Sequence, residues 1–103
     1  MNNDPAIVCL CGSTKFKPVF EKAIKEETLA GRIVVAPGFY THYDGILVEP
    51  EVKVALDKLH LAKIDLCDVV LVINPGGYIG ESTRNEIEYA LSVGKPIRYW
   101  FKH

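Results

Sequence analysis

The pattern of apolar and polar positions predicts four short strands that alternate with three helices. The strands are apolar runs without polar alternation, which is typical of parallel strands covered on both faces. The helices carry apolar residues three and four positions apart, a stripe that includes Leu29, Val54 and Leu59. The predicted strands cover residues 6–11, 32–36, 69–73 and 97–101, and the predicted helices cover residues 15–30, 50–66 and 83–93.

This alternation predicts an α/β fold in which an open parallel sheet lies between two layers of helices. We expect a three-layer fold of Rossmann or flavodoxin type, with four strands, or five, in the order 2-1-3-4. A chain of 103 residues is enough for one domain, covering residues 1–103. In such sheets ligands bind at the carboxyl ends of the strands where the order reverses, which is here between strands one and three.

A glycine-rich turn follows the third predicted strand and leads into the third helix. Gly76, Gly77 and Gly80 favour backbone conformations that other residues avoid, and they let a ligand approach the main chain. Ser82 is predicted to cap the helix, whose first N–H groups and partial positive charge favour an anion. We therefore expect this turn to bind part of a ligand.

A second turn, Gly12-Ser13-Thr14, ends the first predicted strand, and Ser13 or Thr14 can cap the helix that follows. Because strands one and three are neighbours in the predicted sheet, Gly12 and Ser13 should face the glycine-rich turn across one pocket. Neither GxxxxGK[ST] nor GxGxxG is present, so ATP hydrolysis and hydride transfer lose support.

Glu86 is the residue expected to carry the chemistry. It lies four residues past Ser82, behind the glycine-rich turn, where a carboxylate can reach a bound sugar as nucleophile or base. The alternative is that Glu86 only complements the helix dipole, a purpose that Glu81 and Glu88 serve equally well.

Two other parts of the chain supply candidates for binding a base. Residues 37–50 form a long loop in which Tyr40 and Tyr43 can stack on a planar ring, or else cover a hydrophobic edge or make a dimer contact. On the second helix, His60 is a candidate base with Asp57 three residues before it, and the alternative is a surface pair of the two.

The three cysteines, Cys9, Cys11 and Cys67, lie in or beside apolar runs, and their odd number argues against a disulfide framework. Cys9 and Cys11 share one face of a strand, so His60 and Cys67 can in principle join them at a metal. Zinc ligands usually have longer spacings on turns, and buried free cysteine is common. We therefore expect core packing and no metal site.

The charge balance and the apolar runs restrict the partners. A net charge of −1 argues against a nucleic acid polymer, whose binding domains usually carry an excess of Lys and Arg. No apolar run approaches the length of a membrane span, and the first ten residues lack the pattern of a signal peptide. We expect a cytoplasmic protein that acts on a small molecule and binds no membrane.

The chain resembles the nucleoside 2-deoxyribosyltransferase superfamily, including relatives that hydrolyse deoxynucleoside 5′-monophosphates. The resemblance rests on CLCGSTKF, on DVVLVI with the glycine-rich turn after it, on the spacing from Glu86 to Ala90, and on Gly94-Lys95-Pro96. It implies that Glu86 attacks the anomeric carbon, that water or a second base resolves the glycosyl-enzyme, and that the chain forms a homodimer or higher homo-oligomer. No metal or organic cofactor is required for such a reaction.

The same resemblance implies roles for the other candidates. Gly12, Ser13, Gly77 and Ser82 would line the sugar and phosphate site, Tyr40 or Tyr43 would stack on the base, and His60 or Asp57 would assist the leaving base. Gly80 stands where relatives carry an acidic or serine residue that binds sugar or phosphate, and His60 stands where the transferases carry an aspartate.

Two alternatives remain open. PGGY followed by Glu86 also resembles the PGGxGT…E segment of lonely-guy phosphoribohydrolases, which release bases from nucleoside monophosphates. The departures at His60 and Gly80 favour a different class, a nucleotide-binding or sensor module without catalysis.

Overall fold

Four parallel strands form the central layer of the computed structural model, which describes residues 4–102. Their order is β2-β1-β3-β4, and every neighbouring pair is parallel. The predicted α/β fold and strand order are therefore confirmed, with four strands in the described residues. The strands are β1 (Ile7–Gly12), β2 (Ile33–Val35), β3 (Val69–Ile73) and β4 (Ile97–Tyr99), and the helices are α1 (Lys17–Leu29), α2 (Pro50–Leu66) and α3 (Glu81–Ser92).

The two faces of the sheet are covered by different helices, because successive side chains of a strand point to opposite faces. Val8 and Leu10 of β1 pack with Phe20 of α1 in one core cluster. Cys9 and Cys11 point the other way, into a cluster that contains buried residues of α2 and α3. Both cysteines are therefore directed at the layer formed by α2 and α3.

The start of α1 differs from the prediction by two residues. Thr14–Phe16 form a short 3-10 turn before the helix, and Ser13 Oγ accepts a hydrogen bond from the Lys15 amide at 3.3 Å. Ser13 thus caps this turn, and Pro18 lies in the first turn of α1.

The start of α3 also differs, and the predicted cap at Ser82 is wrong. The helix begins at Glu81, after Gly80, which has an extended backbone with φ −76° and ψ 174°. The carbonyl of Gly80 accepts a hydrogen bond from the Arg84 amide at 2.9 Å, so the helical ladder begins before Ser82. No side chain provides the cap at this end of α3.

Some apolar residues of the predicted stripes are exposed. Leu29 is 77% exposed, and Val54 and Leu59 are each 53% exposed. Val54 and Leu59 are exposed because α2 buries only His60 and Ile64 and its other faces remain open, while Leu29 is the last residue of α1. Among residues 4–102, no helix is both long enough and apolar enough to cross a membrane.

A buried carboxylate connects α1 with the edge strand β4. Glu27 is 5% exposed and accepts hydrogen bonds from Arg98 Nη1 at 3.0 Å and Nη2 at 3.4 Å. Arg32 Nε lies 3.5 Å from the same carboxylate. Two cations therefore compensate the cost of burying this charge.

Replacement of Glu27 by Ala should lower the free energy of unfolding by about 1–3 kcal/mol, because it leaves two arginines without their buried partner. The loss stays below that of a fully buried pair, since both arginines are partly exposed and can reach water. Chemical denaturation of this variant would measure the loss. Glu26→Ala, next to it on the exposed side of α1, should change the value by no more than about 0.5 kcal/mol; equal losses in the two variants would contradict the role given to Glu27.

Candidate functional site

The carboxyl ends of β1 and β3 meet at one rim of the sheet, where Gly12 is paired with Ile73. A cavity of about 530 Å³ opens at this rim between the two turns and α2. Its volume falls in the range of small-molecule sites in proteins. The sequence-predicted site residues that line it are Gly12, Ser13, Asp57, His60, Gly80, Ser82 and Glu86.

Three predicted binding residues do not line this cavity. Tyr40 packs against Phe20 on the α1 face of the sheet, with 5.5 Å between the ring centroids. Tyr43 is 53% exposed, with Lys17 Nζ 5.4 Å from its ring centroid. Gly77 borders a separate wide cleft beside β4.

The aromatic residues that do line the cavity are Phe39 and Tyr78. Tyr78 is 46% exposed and makes an edge-to-face contact with Phe16, with 5.7 Å between the ring centroids. Lys15 Nζ lies 3.7 Å from the centroid of the Tyr78 ring, within the range of a cation–π contact. Tyr78 directly follows Gly76 and Gly77, and this position beside the ligand-facing turn is the feature of the sequence that could have indicated a place in the cavity wall.

Two of the three glycines in the glycine-rich turn have the positive φ angle that glycine favours. Gly76 and Gly77 have φ values of 62° and 80°, in the region that favours glycine. Gly80 does not need this freedom, since its φ is −76°. A methyl group added at Gly80 would lie 3.3 Å from the Tyr78 hydroxyl, so the missing side chain leaves room at the cavity wall.

Glu86 lies on the second turn of α3 and faces the cavity from its floor. The side chain is partly buried and lies close to the thiol of Cys11. Burial raises the pKa of Glu86, while the positive charge of His60 and the Cys11 contact act to lower it. Two opposite effects therefore act on the carboxylate: the apolar interior favours its neutral form, and His60 and Cys11 favour its charged form.

His60 is buried under the cavity, so the alternative of a surface pair with Asp57 is wrong. Its side chain is 8% exposed, and Nε2 lies 3.1 Å from the carbonyl oxygen of Leu10. Because a carbonyl only accepts, this contact assigns a proton to Nε2. Burial is the largest single influence and lowers the pKa of His60, but the hydrogen bond with Cys9 and the charges of Glu86 and Cys9 outweigh it, and the pKa is raised.

The two sulfurs of β1 lie against the same ring nitrogen. His60 Nε2 is 3.4 Å from Cys11 Sγ and 3.8 Å from Cys9 Sγ. The hydrogen bond from the Cys11 thiol lowers the pKa of Cys9 against the effect of burial, with His60 contributing in the same direction. The hydrogen bond with Cys9, and then burial and Glu86, raise the pKa of Cys11. The three residues form a polar cluster inside an otherwise apolar core.

Among residues 4–102, this cluster is the one group of three or more potential metal ligands whose ligand atoms lie close together. The ligand atoms of Cys9, Cys11 and His60 all lie within 4.8 Å of one another, and all three residues are buried. Cys67 is also buried but does not join them.

The wall formed by α2 contains a cation that sequence reasoning missed. Lys53 lines the cavity and its Nζ donates to Asp57 Oδ2 at 2.9 Å and to Ser82 Oγ at 3.3 Å. Asp57 thus pairs with Lys53 and not with His60. The signal was present in the spacing, because positions 53, 57 and 60 lie on one face of a helix.

The long loop after β2 is attached to the turn after β1. Thr14 Oγ1 accepts a hydrogen bond from the His42 amide at 3.1 Å and lies 3.1 Å from Thr41 Oγ1. Residues on both sides of this attachment, including Phe39 and Leu47, line the cavity. The loop therefore forms its outer wall, while Tyr40 holds the loop to the α1 face.

No protein-family model and no curated protein matches this chain at a significant level.

Gly12 should be essential for the packing of the rim. A methyl group there would lie 2.9 Å from the carbonyl oxygen of Ile73 and 3.2 Å from the Phe20 ring. Gly12→Ala should lower the free energy of unfolding by about 1–3 kcal/mol, because the backbone of β3 would have to shift.

Thermal or chemical denaturation would measure this loss, with Gly38→Ala as the matched control. A methyl group at Gly38 would meet nothing within 4 Å, so stability there should stay the same or rise by up to about 1 kcal/mol. Normal stability of Gly12→Ala would show that the strands can separate at this point without cost.

Proposed function

We propose that this protein cleaves the N-glycosidic bond of a nucleoside or a nucleoside 5′-monophosphate, by hydrolysis or by base exchange, with Glu86 as the nucleophile. The observation that carries the proposal is the place of Glu86, a partly buried carboxylate on the floor of the cavity between two turns and two helix starts. The resemblance of the sequence to nucleoside 2-deoxyribosyltransferases supports the same residue and the same reaction.

In the first step a carboxylate oxygen of Glu86 forms a bond to the anomeric carbon. The bond from that carbon to the base nitrogen breaks, and its electron pair leaves with the base, which takes up a proton. In the second step water, or the nitrogen of another base, attacks the same carbon and releases Glu86. A carboxylate also stabilises the positive charge that develops on the sugar, so the reaction needs no cofactor.

Asp57 is the better placed of the two candidates for protonating the base. Nε2 of His60 donates to the Leu10 carbonyl in the interior, so this nitrogen is not free to serve the cavity. Asp57 lies on the cavity wall and holds Lys53 at 2.9 Å. We assign His60 instead to the support of Glu86, whose negative charge it favours.

The aromatic side chains of the cavity suit a planar base. Phe39 and Tyr78, and not the tyrosines predicted from the loop, lie where a ring could stack. Gly12, Ser13 and Gly80 leave main-chain groups accessible for the sugar.

The proposal includes a cytoplasmic location and a homodimer or higher homo-oligomer. The apolar residues near the cavity mouth support the second part, since Leu47 is 97% exposed and Leu59 is 53% exposed. A neighbouring subunit would cover such residues.

A non-catalytic nucleotide-binding module is the second candidate. Burial raises the pKa of Glu86 and so acts against the charged form that a nucleophile needs, which favours this candidate. The fold and the cavity would then serve binding alone.

Glu86→Gln should lower the rate of base release by at least about 10³-fold, because a nucleophile cannot be replaced by its neutral amide. The measurement is chromatographic detection of free base from a panel of ribo- and deoxyribonucleosides and their 5′-monophosphates, with and without a second base. Glu88→Gln, on the exposed side of the same helix, should keep the full rate.

Each result of this panel has a distinct meaning. Release by the wild type and by Glu88→Gln alone supports the proposed reaction. Nucleotide binding by calorimetry without release of any base would favour the binding module, and equal release by Glu86→Gln would remove Glu86 from the mechanism.

Lys53 should distinguish phosphorylated from free nucleosides. If the substrate is a 5′-monophosphate, Lys53→Met should raise its KM by about 10- to 100-fold, the value of one charged hydrogen bond, and leave the KM for the free nucleoside nearly unchanged. Lys58→Met, on the same helix but outside the cavity lining, is the control. An equal rise for both kinds of substrate would show that Lys53 does not bind the phosphate.

A further inference from the structure

We propose that Cys9, Cys11 and His60, with Glu86 as the fourth donor, form a tetrahedral binding site for a thiophilic divalent cation of the zinc class. The residues come from three elements, with two sulfurs from β1, a ring nitrogen from α2 and a carboxylate from α3. This assignment goes beyond the expectation that the cysteines only pack the core. It stands apart from the glycosidic reaction, and only its effect on that reaction rests on the proposed function.

The separations of the ligand atoms suit a zinc ion. Zinc–sulfur bonds of about 2.3 Å and zinc–nitrogen bonds of about 2.0–2.1 Å at a tetrahedral angle place N and S about 3.6 Å apart. The distances from His60 Nε2 to the sulfurs of Cys11 and Cys9 are 3.4 Å and 3.8 Å, one on each side of this value. The ligand atoms of Cys9, Cys11 and His60 all lie within 4.8 Å of one another. Glu86 lies outside this group of three, so its carboxylate would turn toward the group from the cavity to complete the four donors.

The fold itself produces the spacing. Cys9 and Cys11 are two positions apart on a strand, so both sulfurs point to the same face of the sheet. His60 is one of the two buried residues of α2, and its ring contacts both sulfurs from the helix layer on that face of the sheet. No movement of the main chain is required to bring these three side chains together.

Glu86 supplies the remaining donor and the route of entry. Its side chain lines the cavity and lies close enough to the Cys11 thiol to raise the pKa of that thiol. His60 lines the same cavity. The cavity therefore leads to His60 and Glu86, and an ion reaches the fully buried sulfurs of Cys9 and Cys11 by passing between these two side chains.

Binding exchanges protons for the metal. The two cysteines bind as thiolates and lose any S–H proton. The imidazolium form of His60 releases its Nε2 proton, whereas the neutral ring moves this proton from Nε2 to Nδ1, so that in both cases Nε2 is free for the metal and Nδ1 carries one proton. The donor set of two sulfurs and one imidazole favours zinc, cobalt or cadmium over magnesium and calcium, which prefer oxygen ligands.

If Glu86 is the nucleophile of the proposed reaction, a bound ion removes it from use. Metal binding and base release then exclude each other, and zinc acts as an inhibitor that is reversed by a chelator. This consequence is the part of the inference that rests on the proposed function.

The test is anaerobic titration of the reduced protein with Co²⁺, which reports its own coordination. One equivalent should give thiolate-to-cobalt charge-transfer absorption and the strong visible bands of tetrahedral cobalt, and Zn²⁺ should displace both. Cys9→Ser, Cys11→Ser and His60→Gln should each weaken binding by at least about 100-fold. Cys67→Ser is the matched control, since Cys67 is buried in the same core cluster but lies outside the ligand set.

The shift of the thermal unfolding midpoint on adding Zn²⁺ measures metal binding even in variants that are less stable than the wild type. Zn²⁺ at about 100 times its dissociation constant should raise the unfolding midpoint of the wild type and Cys67→Ser by about 10–20 °C. The midpoints of Cys9→Ser and Cys11→Ser should not move. A spectrum of octahedral cobalt without charge transfer, or equal spectra in wild type and both serine variants, would overturn the proposed site.

Glu86→Gln separates the site from the reaction. It should keep the charge-transfer absorption, with weaker binding and altered visible bands, because water replaces the carboxylate. If base release is found but zinc does not inhibit it at concentrations that fill the site, the proposed exclusion is wrong although the site stands. If no base is released by any form, the cobalt result still decides the metal site alone.

Discussion

The parallel pairing of β1 with β3 is the constraint on which the rest of the structure depends. It places Gly12 opposite Ile73 and so joins two turns that are about sixty residues apart in the chain. The strands pair closely at this point because Gly12 lacks a side chain, which would meet the main chain of β3. The cavity, the floor residue Glu86 and the cysteine cluster all follow from this one ladder.

The interior beneath the cavity contains a histidine and two cysteines in contact with one another. His60, Cys9 and Cys11 replace aliphatic residues where α2 crosses β1. The cost of burying them is limited because His60 Nε2 contacts the Leu10 carbonyl and both sulfurs, and the described residues contain no buried side-chain nitrogen or oxygen without a partner. A packed aliphatic core would be the simpler solution, so the cluster is better explained by a use at the cavity than by stability.

The sequence could predict what depends on local pattern. The bounds of α2 and β3 agree with the prediction because Pro50 and the unbroken run at residues 69–73 are strong local signals. The cap of α3 was missed because Ser82 is a better capping residue than Gly80, and only the packed structure shows that the helix begins earlier. Tyr40 was misplaced because the pattern of a loop does not say which face of the sheet it crosses.

His60 shows why the site was harder to predict than the fold. Its spacing from Asp57 suggested a surface pair, whereas its place opposite β1 depends on the angle at which α2 crosses the sheet. Asp57 forms its ion pair with Lys53, and the imidazole ring of His60 points into the interior, where it contacts the Leu10 carbonyl. Contacts of this kind join residues about fifty positions apart, and no local periodicity encodes them.

The burial of Glu86 has two opposite consequences that the surrounding residues balance. An apolar environment strengthens the attraction between a carboxylate and the positive charge of an oxocarbenium-like transition state, but it also disfavours the carboxylate before the substrate arrives. His60 and Cys11 act against the second effect without filling the cavity, because both approach Glu86 from the interior. The same two groups that would keep the nucleophile charged are also metal ligands in type. A site that stabilises a buried negative charge also suits a cation that prefers sulfur and nitrogen ligands. Substrate and metal ion would both enter through the cavity and would compete for Glu86.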